Sequence, residues 1–351
     1  MKIVMALASL LLVTHIEASC KSEVTYDITT GSKTGTYYQI GLNLAKYVAP
    51  DSCIKLEVLN SNGSLDNAFK LIGANNIKFA IVQNDVLQEL KKMAEKGNKK
   101  ALKLVENLRV ITPLYSEEIH IIAKANSDIK TFADLKDKTI SVGKAKSGTA
   151  MTSYLLYKEL FGVELEKAKT QKFDEALVDL ETGGIDAVIK VAGQPVVRLS
   201  QKMNKDTAEY IKLISYNEKD SNQNAVESYY TADIKADSYP WIESDIPTLS
   251  TKAYLITYNY KNQREKSYIK KFVKSLKYNL SSMQEKATKE LDTPHLKWRE
   301  VSNECAPTLP GGWEYYSVVN EVCGNLGNKS PTVKGSKNCS RRDIALGLCD
   351  N

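Results

Sequence analysis

Apolar and polar positions in the first hundred residues follow two different periods. Short apolar runs predict strands, and segments with an apolar residue every three or four positions predict helices. Strands are predicted over 24–29, 54–60 and 78–82, helices over 36–48 and 64–72, and a further helix from Asp85. Elements that alternate in this way form βαβ units, so the pattern predicts an α/β fold with a mostly parallel sheet flanked by helices.

A second unit of the same kind begins after residue 135. Strands are predicted over 138–143 and 185–191, a helix over 149–161, and another helix from Pro195. Proline is tolerated in a first helical turn because the amide there has no helical partner. The chain is therefore expected to contain two lobes.

Two unusually apolar strands, 119–124 and 253–258, lie between these units and are expected to form a two-strand hinge. A long helix, 263–278, then returns the chain to the first lobe. A length of 351 residues suits two domains of ordinary size. The predicted division comprises lobe I (residues 19–118 plus 252–322), lobe II (residues 119–251) and a cysteine-containing C-terminal extension (residues 323–351).

The N-terminus has the pattern of an export signal. Lys2 precedes an apolar run, 3–13, which is too short for a membrane anchor, and small residues follow it up to Ala18. We expect residues 1–18 to be a signal peptide cleaved near residue 18, which places the mature protein in the periplasm. The alternative is a lipid anchor on Cys20, but Glu17 stands where that signal requires a large apolar residue.

Six cysteines remain after this cleavage, and an even number in an exported chain indicates disulfides. Cys20 and Cys53 each lie just before an apolar strand. Strands joined by a helix run parallel, so both cysteines start at the same sheet edge and are expected to pair. The other four are expected to pair among themselves in an order that the sequence does not fix: Cys305, Cys323, Cys339 and Cys349.

Composition and isolated chemical groups argue against several function classes. A net charge of +6 on an ordinary globular composition is not a nucleic-acid footprint. His120 and His295 stand alone, without cysteine or carboxylate at metal-ligand spacing. Ser147 lacks the preceding glycine of a nucleophile elbow. We therefore predict a non-enzymatic protein with no metal, no cofactor and no nucleic-acid partner, and expect a monomer.

One triplet of residues occurs at equivalent places in both lobes. Thr34-Gly35-Thr36 and Ser147-Gly148-Thr149 each follow a strand and begin a helix, with a lysine nearby. A helix N-terminus offers unpaired amides and a partial positive charge, so each triplet predicts an anion site. A single triplet is explained as well by ordinary helix capping. The repetition favours a clamp that closes two lobes on an anionic ligand.

A second pair of strand ends carries carboxamides. Gln83 and Asn84 follow one strand, and Gln194 follows its counterpart in lobe II. Carboxamides both donate and accept hydrogen bonds, which suits a polar head group, although turn and cap roles are equally compatible with these positions. Five tyrosines are candidates to line the same cleft, and the first of them adjoins a triplet: Tyr37, Tyr38, Tyr216, Tyr229 and Tyr230.

Several ordered motifs resemble the TAXI family of extracytoplasmic solute-binding proteins, which serve tripartite ATP-independent periplasmic (TRAP) transporters. The resemblance runs from about residue 25 to residue 320. Ser32-Lys33-Thr34 departs from the more glycine-rich loop of that family, and the tail after Cys323 lies outside its pattern. The motifs are Thr30-Gly31 with Gly35-Thr36-Tyr37-Tyr38, Val82-Gln83-Asn84-Asp85-Val86, Leu114-Tyr115-Ser116-Glu117, Ser147-Gly148-Thr149, Gly184-Ile185-Asp186-Ala187 with Gly193-Gln194-Pro195, and Leu309-Pro310-Gly311-Gly312 before Tyr315-Tyr316.

The resemblance implies a two-lobed periplasmic binding-protein fold of type II and ligands such as glutamate, glutamine or 2-oxoglutarate. It also implies delivery to a TRAP permease driven by a sodium or proton gradient. The alternative is a periplasmic sensor that presents the solute to a signalling receptor. The implied ligand shell is Thr36, Tyr37, Gln83, Asn84, Ser147, Gly148, Thr149 and Gln194.

Overall fold

The computed structural model describes residues 20, 22–217, 229–290 and 292–325, and strands and helices alternate through most of them. The strands are β1 (Val24–Thr29), β2 (Ile54–Leu59), β3 (Ile77–Gln83), β4 (Leu108–Lys124), β5 (Ile140–Ser141), β6 (Ala168–Lys169), β7 (Ala187–Ala192), β8 (Ile211–Leu213), β9 (Tyr230–Ile234) and β10 (Ile246–Tyr258). The helices are α1 (Thr36–Tyr47), α2 (Ser64–Gly73), α3 (Asn84–Glu95), α4 (Lys99–Asn107), α5 (Gly148–Phe161), α6 (Phe173–Thr182), α7 (Val197–Gln201), α8 (Gln263–Glu285) and α9 (Ser317–Asn325).

The ten strands form one sheet, in the order β2-β1-β3-β10-β4-β7-β5-β6. Strand β8 adds to β4, and β9 adds to β10. The β1–β2, β1–β3, β5–β6 and β5–β7 pairs are parallel, as βαβ units require. The central pairs are antiparallel: β10 runs against β3 and β4, and β7 runs against β4. The sheet is therefore mixed, and the prediction of a mostly parallel sheet holds only for its outer strands.

Strands β4 and β10 are long enough to serve both lobes. The first half of β4 pairs with the second half of β10, and the second half of β4 pairs with β7. The first half of β10 pairs with β9. The predicted hinge segments, 119–124 and 253–258, are each only part of these longer strands. The two lobes are joined through this central pair.

Four clusters of buried apolar side chains flank the sheet, two in each lobe. In the first lobe, one cluster packs α1, α8 and α9 against β1 and β2. The other packs α2, α3 and α4 against β3. In the second lobe, one cluster contains α5 and the other α6 and α7. Each lobe therefore has cores on both faces of its own half of the sheet, which fits the predicted two-lobed α/β fold.

The predicted signal peptide, residues 1–18, lies outside the described residues. The predicted extension begins inside α9, where Val322 and Cys323 are buried against the first lobe. The part of the extension after residue 325 also lies outside the described residues. Among the described helices, none combines the length and the apolar character that a bilayer crossing requires.

Two disulfides are present in the described part of the chain. Cys20 bonds to Cys53 with a Cα–Cα distance of 5.5 Å, and this is the pair expected from the two neighbouring strand starts. Cys305 bonds to Cys323, which draws the segment before α9 against that helix. Cys339 and Cys349 lie outside the described residues.

Removing the first disulfide is expected to destabilise the first lobe. The bond closes a loop with a sequence separation of 33 residues, so its loss gives the unfolded chain more conformational freedom. We expect Cys20→Ser with Cys53→Ser to lower the free energy of unfolding by about 3 kcal/mol in urea titrations followed by circular dichroism. The matched control is dithiothreitol, which should reduce the difference in free energy of unfolding between the wild type and the double variant. A variant as stable as the oxidised wild type would contradict the expectation.

Candidate ligand-binding cleft

A cavity of about 240 Å³ lies between the two lobes and is lined by residues of both. Four helices begin at its wall: α1 after Gly35, α2 after Gly63, α5 after Ser147 and α6 after Lys172. The first amides of a helix have no partner within it and carry partial positive charge. Convergence of four such ends makes the cavity favourable for an anion.

The structure brings six of the eight predicted ligand-shell residues to this cavity, and both predicted triplets are among the lining. Asn84 and Gln194 do not line it. The Asn84 carboxamide oxygen accepts a bond from Gln88 Nε2 at 3.1 Å, within α3. The Gln194 side chain bonds to the loop 233–238 of the second lobe. The six at the cavity are Thr36, Tyr37, Gln83, Ser147, Gly148 and Thr149.

Three of the four triplet hydroxyls, those of Thr36, Ser147 and Thr149, have structural partners. Ser147 Oγ accepts from Ala150 N at 3.0 Å, as a helix cap does. Thr149 Oγ1 accepts from the amide of Val191 at 3.2 Å. The amides of Gly148 and Thr149 make no hydrogen bond within the described residues, and the same is true of the first two amides of α1. The amides of Thr36 and Tyr37 in α1, and of Gly148 and Thr149 in α5, are therefore free to bind an anion.

Hydrogen bonds cross directly from one lobe to the other beside the cavity. Asp85, at the start of α3, is buried and accepts several of these hydrogen bonds. Burial raises the pKa of its carboxyl. Tyr229 bonds to this carboxylate at 3.3 Å and does not line the cavity. Such contacts form only when the lobes are close together, so the cleft is in a closed arrangement. Other crossing bonds include Thr152 Oγ1 to Asp85 Oδ2 (2.5 Å), Gln83 Nε2 to Thr152 Oγ1 (3.3 Å), Asp66 N to Lys146 O (3.1 Å) and Thr36 Oγ1 to Gly193 O (2.9 Å).

Glu117, on β4, is an acid in the cavity wall that the sequence alone did not single out as a site residue. Its side chain is almost fully buried, with the residue only 3% exposed. One carboxylate oxygen accepts a bond from Tyr37 OH at 2.6 Å, and Tyr37 OH also lies 3.2 Å from Ser64 Oγ. Burial raises the pKa of Glu117 to about 8. A carboxylate pair that interrupts the apolar run of β4, Glu117 and Glu118, was the available sequence signal.

Four cations line the cavity, and two of them are already paired. Arg198 forms an ion pair with Asp174 at 2.8 Å. Lys172 forms an ion pair with an acid that does not line the cavity. Lys144 and Lys190 have no ion-pair partner within 4 Å among the described residues. Lys190 is half-buried, its ammonium lies 5.7 Å from the centre of the Phe173 ring, and burial lowers its pKa. The uncompensated cations of the wall favour an anionic ligand.

The two histidines of the described residues, His120 and His295, have structural roles. His120 is fully buried and lies 2.7 Å from Tyr239 OH through Nε2. His295 Nδ1 accepts from the amide of Lys297 at 3.1 Å. Burial lowers the pKa of each imidazole to about 4, so both are neutral near pH 7. In the residues that the structure describes, no group of three His, Cys, Asp or Glu side chains is arranged to hold a metal ion.

Comparisons with known proteins match most of the chain. The model of the NMT1-like family matches residues 28–317. The periplasmic binding protein BugD has a TM-score of 0.51 at 12% identity, over 86% of this chain and 95% of that chain. This likeness shows the fold, which is that of a periplasmic binding protein.

Two further solved structures are less similar. The arginine-, lysine-, histidine-binding protein ArtJ from Geobacillus stearothermophilus has a TM-score of 0.46 at 17% identity, over 76% of this chain and 92% of that chain. The GluR0 ligand-binding core from Nostoc punctiforme, in complex with L-glutamate, has a TM-score of 0.43 at 14% identity, over 73% of this chain and 93% of that chain.

Proposed function

This chain belongs to the NMT1-like family, and on that premise we propose that it is an extracytoplasmic solute-binding protein for a small carboxylate-bearing molecule. One observation carries the proposal: amides of α1 and α5, one helix from each lobe, meet at a single cavity whose wall includes Lys144 and Lys190, and within the described residues these amides and cations have no hydrogen-bond or ion-pair partner. A carboxylate held there contacts both lobes at once. Ligand binding therefore selects the closed arrangement.

The proposed role is capture and delivery, without chemical conversion of the ligand. The hydroxyls of Ser147 and Thr149 are engaged in a helix cap and a strand contact, and neither histidine lines the cavity. The two disulfides support a location outside the cytoplasm, because such bonds persist in oxidising compartments. The residues resembling the TAXI family support delivery to a TRAP permease, with glutamate, glutamine and 2-oxoglutarate as first candidate ligands.

A thermal-shift screen tests the capture of a carboxylate. We expect at least one acid among glutamate, glutamine, 2-oxoglutarate, succinate and glutarate to raise the melting temperature by several degrees at millimolar concentration, because a ligand that binds only the folded state stabilises it by mass action. Glucose and putrescine, which lack a carboxylate, are the controls and should leave it unchanged. No shift with any acid, together with no binding in calorimetry, would contradict the proposal.

Delivery is tested separately in proteoliposomes that contain a TRAP permease from the same genome. Uptake of the labelled acid should require this protein and a sodium or proton gradient, and it should not require ATP. Uptake that needs ATP, or that proceeds equally well without the protein, would remove the TRAP assignment while leaving ligand capture intact.

A methyl group at Gly148 is expected to interfere with closure. An added Cβ there would lie 1.3 Å from Gln83 Oε1 of the opposite lobe and 2.6 Å from Ser64 Oγ. Hydrogen bonds from Ser64 and to Thr152 hold the Gln83 carboxamide in place, so it cannot move aside freely. Overpacking of this kind costs about 1–3 kcal/mol, so Gly148→Ala should weaken binding of the acid identified in the screen about 5- to 150-fold.

The clash exists only between closed lobes, so the melting temperature of ligand-free Gly148→Ala should be close to that of the wild type, provided the free protein is open. The matched control is Gly73→Ala, where an added Cβ meets no atom within 4 Å. Binding by Gly148→Ala as tight as binding by the control would show that closure does not bring these residues together in the ligand complex.

A further inference from the structure

Glu117 has one carboxylate oxygen without a partner. Tyr37 OH donates to Oε2, and no described group donates to Oε1. The residue is 3% exposed and lines the cavity between the lobes. This oxygen is not fully enclosed by protein, and because Glu117 lines the cavity, an occupant can donate a hydrogen bond to it in place of water. An occupant of the cavity is therefore favoured if it carries a hydrogen-bond donor, above all a cationic one.

The neighbouring acids differ from Glu117 in being satisfied by the protein. Glu118 is bonded to Lys297 and to the amide of Gln194. Asp85 accepts bonds from the side chains of Thr152, Thr251 and Tyr229 and from the amide of Val86.

Lys190, on β7, is the cation that faces Glu117 in the same cavity. The two groups interact electrostatically, but they are not within the 4 Å of an ion pair. The cavity therefore holds an acid and a cation that are kept apart, with the free amides of α1 and α5 also at its wall. A molecule with an ammonium and a carboxylate a few bonds apart complements both signs.

We propose that the ligand of this cleft is an α-amino acid, with its ammonium group bound by Glu117 and its carboxylate bound on the side of Lys190 and the helix ends. The inference rests on the proposed function and narrows it, because it assigns Glu117 a direct role in recognition and ranks amino acids above the corresponding keto and dicarboxylic acids.

Calorimetry with matched pairs of ligands tests this assignment. The probes are L-glutamate, L-glutamine, L-aspartate and L-alanine, each compared with its deamino counterpart: glutarate, glutaramate, succinate and propionate. 2-Oxoglutarate is added as the keto acid. In the wild type, the best amino acid should bind at least 30-fold tighter than any ligand without an ammonium group, as expected for a buried charge contact. In Glu117→Gln this preference should fall below about threefold.

The matched control is Glu57→Gln, because Glu57 is an exposed acid on β2 paired with Lys55 at 2.7 Å. It should keep the wild-type preference. Deamino acids that bind as tightly as amino acids, or an unchanged preference in Glu117→Gln, would overturn the inference while leaving carboxylate capture intact. Failure of every acid to bind would overturn the proposed function itself.

The affinity for a ligand with an ammonium group and the affinity for a ligand without one should change in opposite directions with pH. The charged and titratable groups facing Glu117 are Tyr37 from α1, Tyr115 and Glu118 from β4, Asp85 from α3 and Lys190 from β7. With the pKa of Glu117 raised to about 8, the carboxyl is mostly protonated at pH 6 in the empty cleft. An ammonium group favours the charged form and expels that proton, whereas a ligand without one favours the protonated form.

Binding of the best amino acid should therefore strengthen by about tenfold per pH unit between pH 6 and pH 7.5, with proton release to the buffer. Glu117→Gln should show less than a threefold change over that range. Binding that weakens as pH rises, with proton uptake, would overturn the assignment. Urea titration at pH 8 should show the variant at least as stable as the wild type, because the substitution removes a buried charge and keeps an acceptor for Tyr37.

Discussion

Replacing Lys297 with methionine is expected to lower the free energy of unfolding by about 3–5 kcal/mol. The Lys297 ammonium lies 2.6 Å from Glu118 Oε1 and 2.6 Å from Glu300 Oε1. The side chains of Lys297 and Glu118 are only 2% and 4% exposed. Methionine fills a similar volume but leaves the Glu118 carboxylate buried without its cation. Urea titration at pH 7 measures the loss.

A double-mutant cycle supplies the control for this ion pair. Glu118→Gln combined with Lys297→Met removes both charges, so it should cost less than the sum of the two single substitutions by at least about 1 kcal/mol. Burial already raises the pKa of Glu118, and loss of Lys297 should raise it further. The destabilisation of Lys297→Met should therefore shrink as pH falls towards 5, where the isolated carboxyl takes up a proton. A loss under 1 kcal/mol at pH 7 would contradict the expectation.

Replacing Lys190 with methionine is expected to weaken binding of the acid identified in the screen by about 2–5 kcal/mol, which is about 30-fold to several thousand-fold in Kd. Lys190 is a half-buried cavity cation without an ion-pair partner in the described residues, so the ligand carboxylate is its natural counter-ion. Methionine has a similar volume and removes the charge. Calorimetry at pH 7 and low salt measures the change.

Stability and binding should separate in this variant. Burial disfavours the charged form of Lys190, so Lys190→Met should unfold at the same or a higher urea concentration than the wild type. Lys103→Met is the matched control, because Lys103 is an exposed lysine of α4 and its loss changes the net charge equally. Weakening by both variants to the same extent would mean that long-range attraction, rather than a contact at Lys190, holds the ligand.

These predictions assign different tasks to consecutive acids of one hinge strand. Glu118 fixes β4 to the turn that carries Lys297, and it also accepts a bond from the amide of Gln194 in the second lobe. Glu117 faces the cavity. Because β4 belongs to both lobes, a change at either acid is felt where the lobes meet. Adjacent residues of β4 therefore have different roles: Glu118 stabilises the hinge, and Glu117 is available to the ligand.

The sequence by itself determined several early elements of this protein and placed both triplets at the ends of strands. The strand over 24–29 was predicted at its observed bounds, and the start of α1 at Thr36 was predicted as well. These features depend on local information, such as apolar period, caps and turn residues. The two triplets were also expected at one cleft, because each follows the carboxyl end of a strand, where α/β lobes bind their ligands, and the two lobes face each other. The Cys20–Cys53 pair followed from the shared starting edge of two parallel strands.

Tertiary structure alone decided which polar groups face the cavity. Gln194 was expected there, but its carboxamide is held by residues 233–238, about forty positions along the chain. Successive residues of a strand point to opposite faces, so the sequence contains the pair Glu117 and Glu118 without saying which acid meets Lys297 and which meets the cleft. That choice depends on partners far along the chain, at Tyr37 and Lys297. Local periodicity contains no information about these partners.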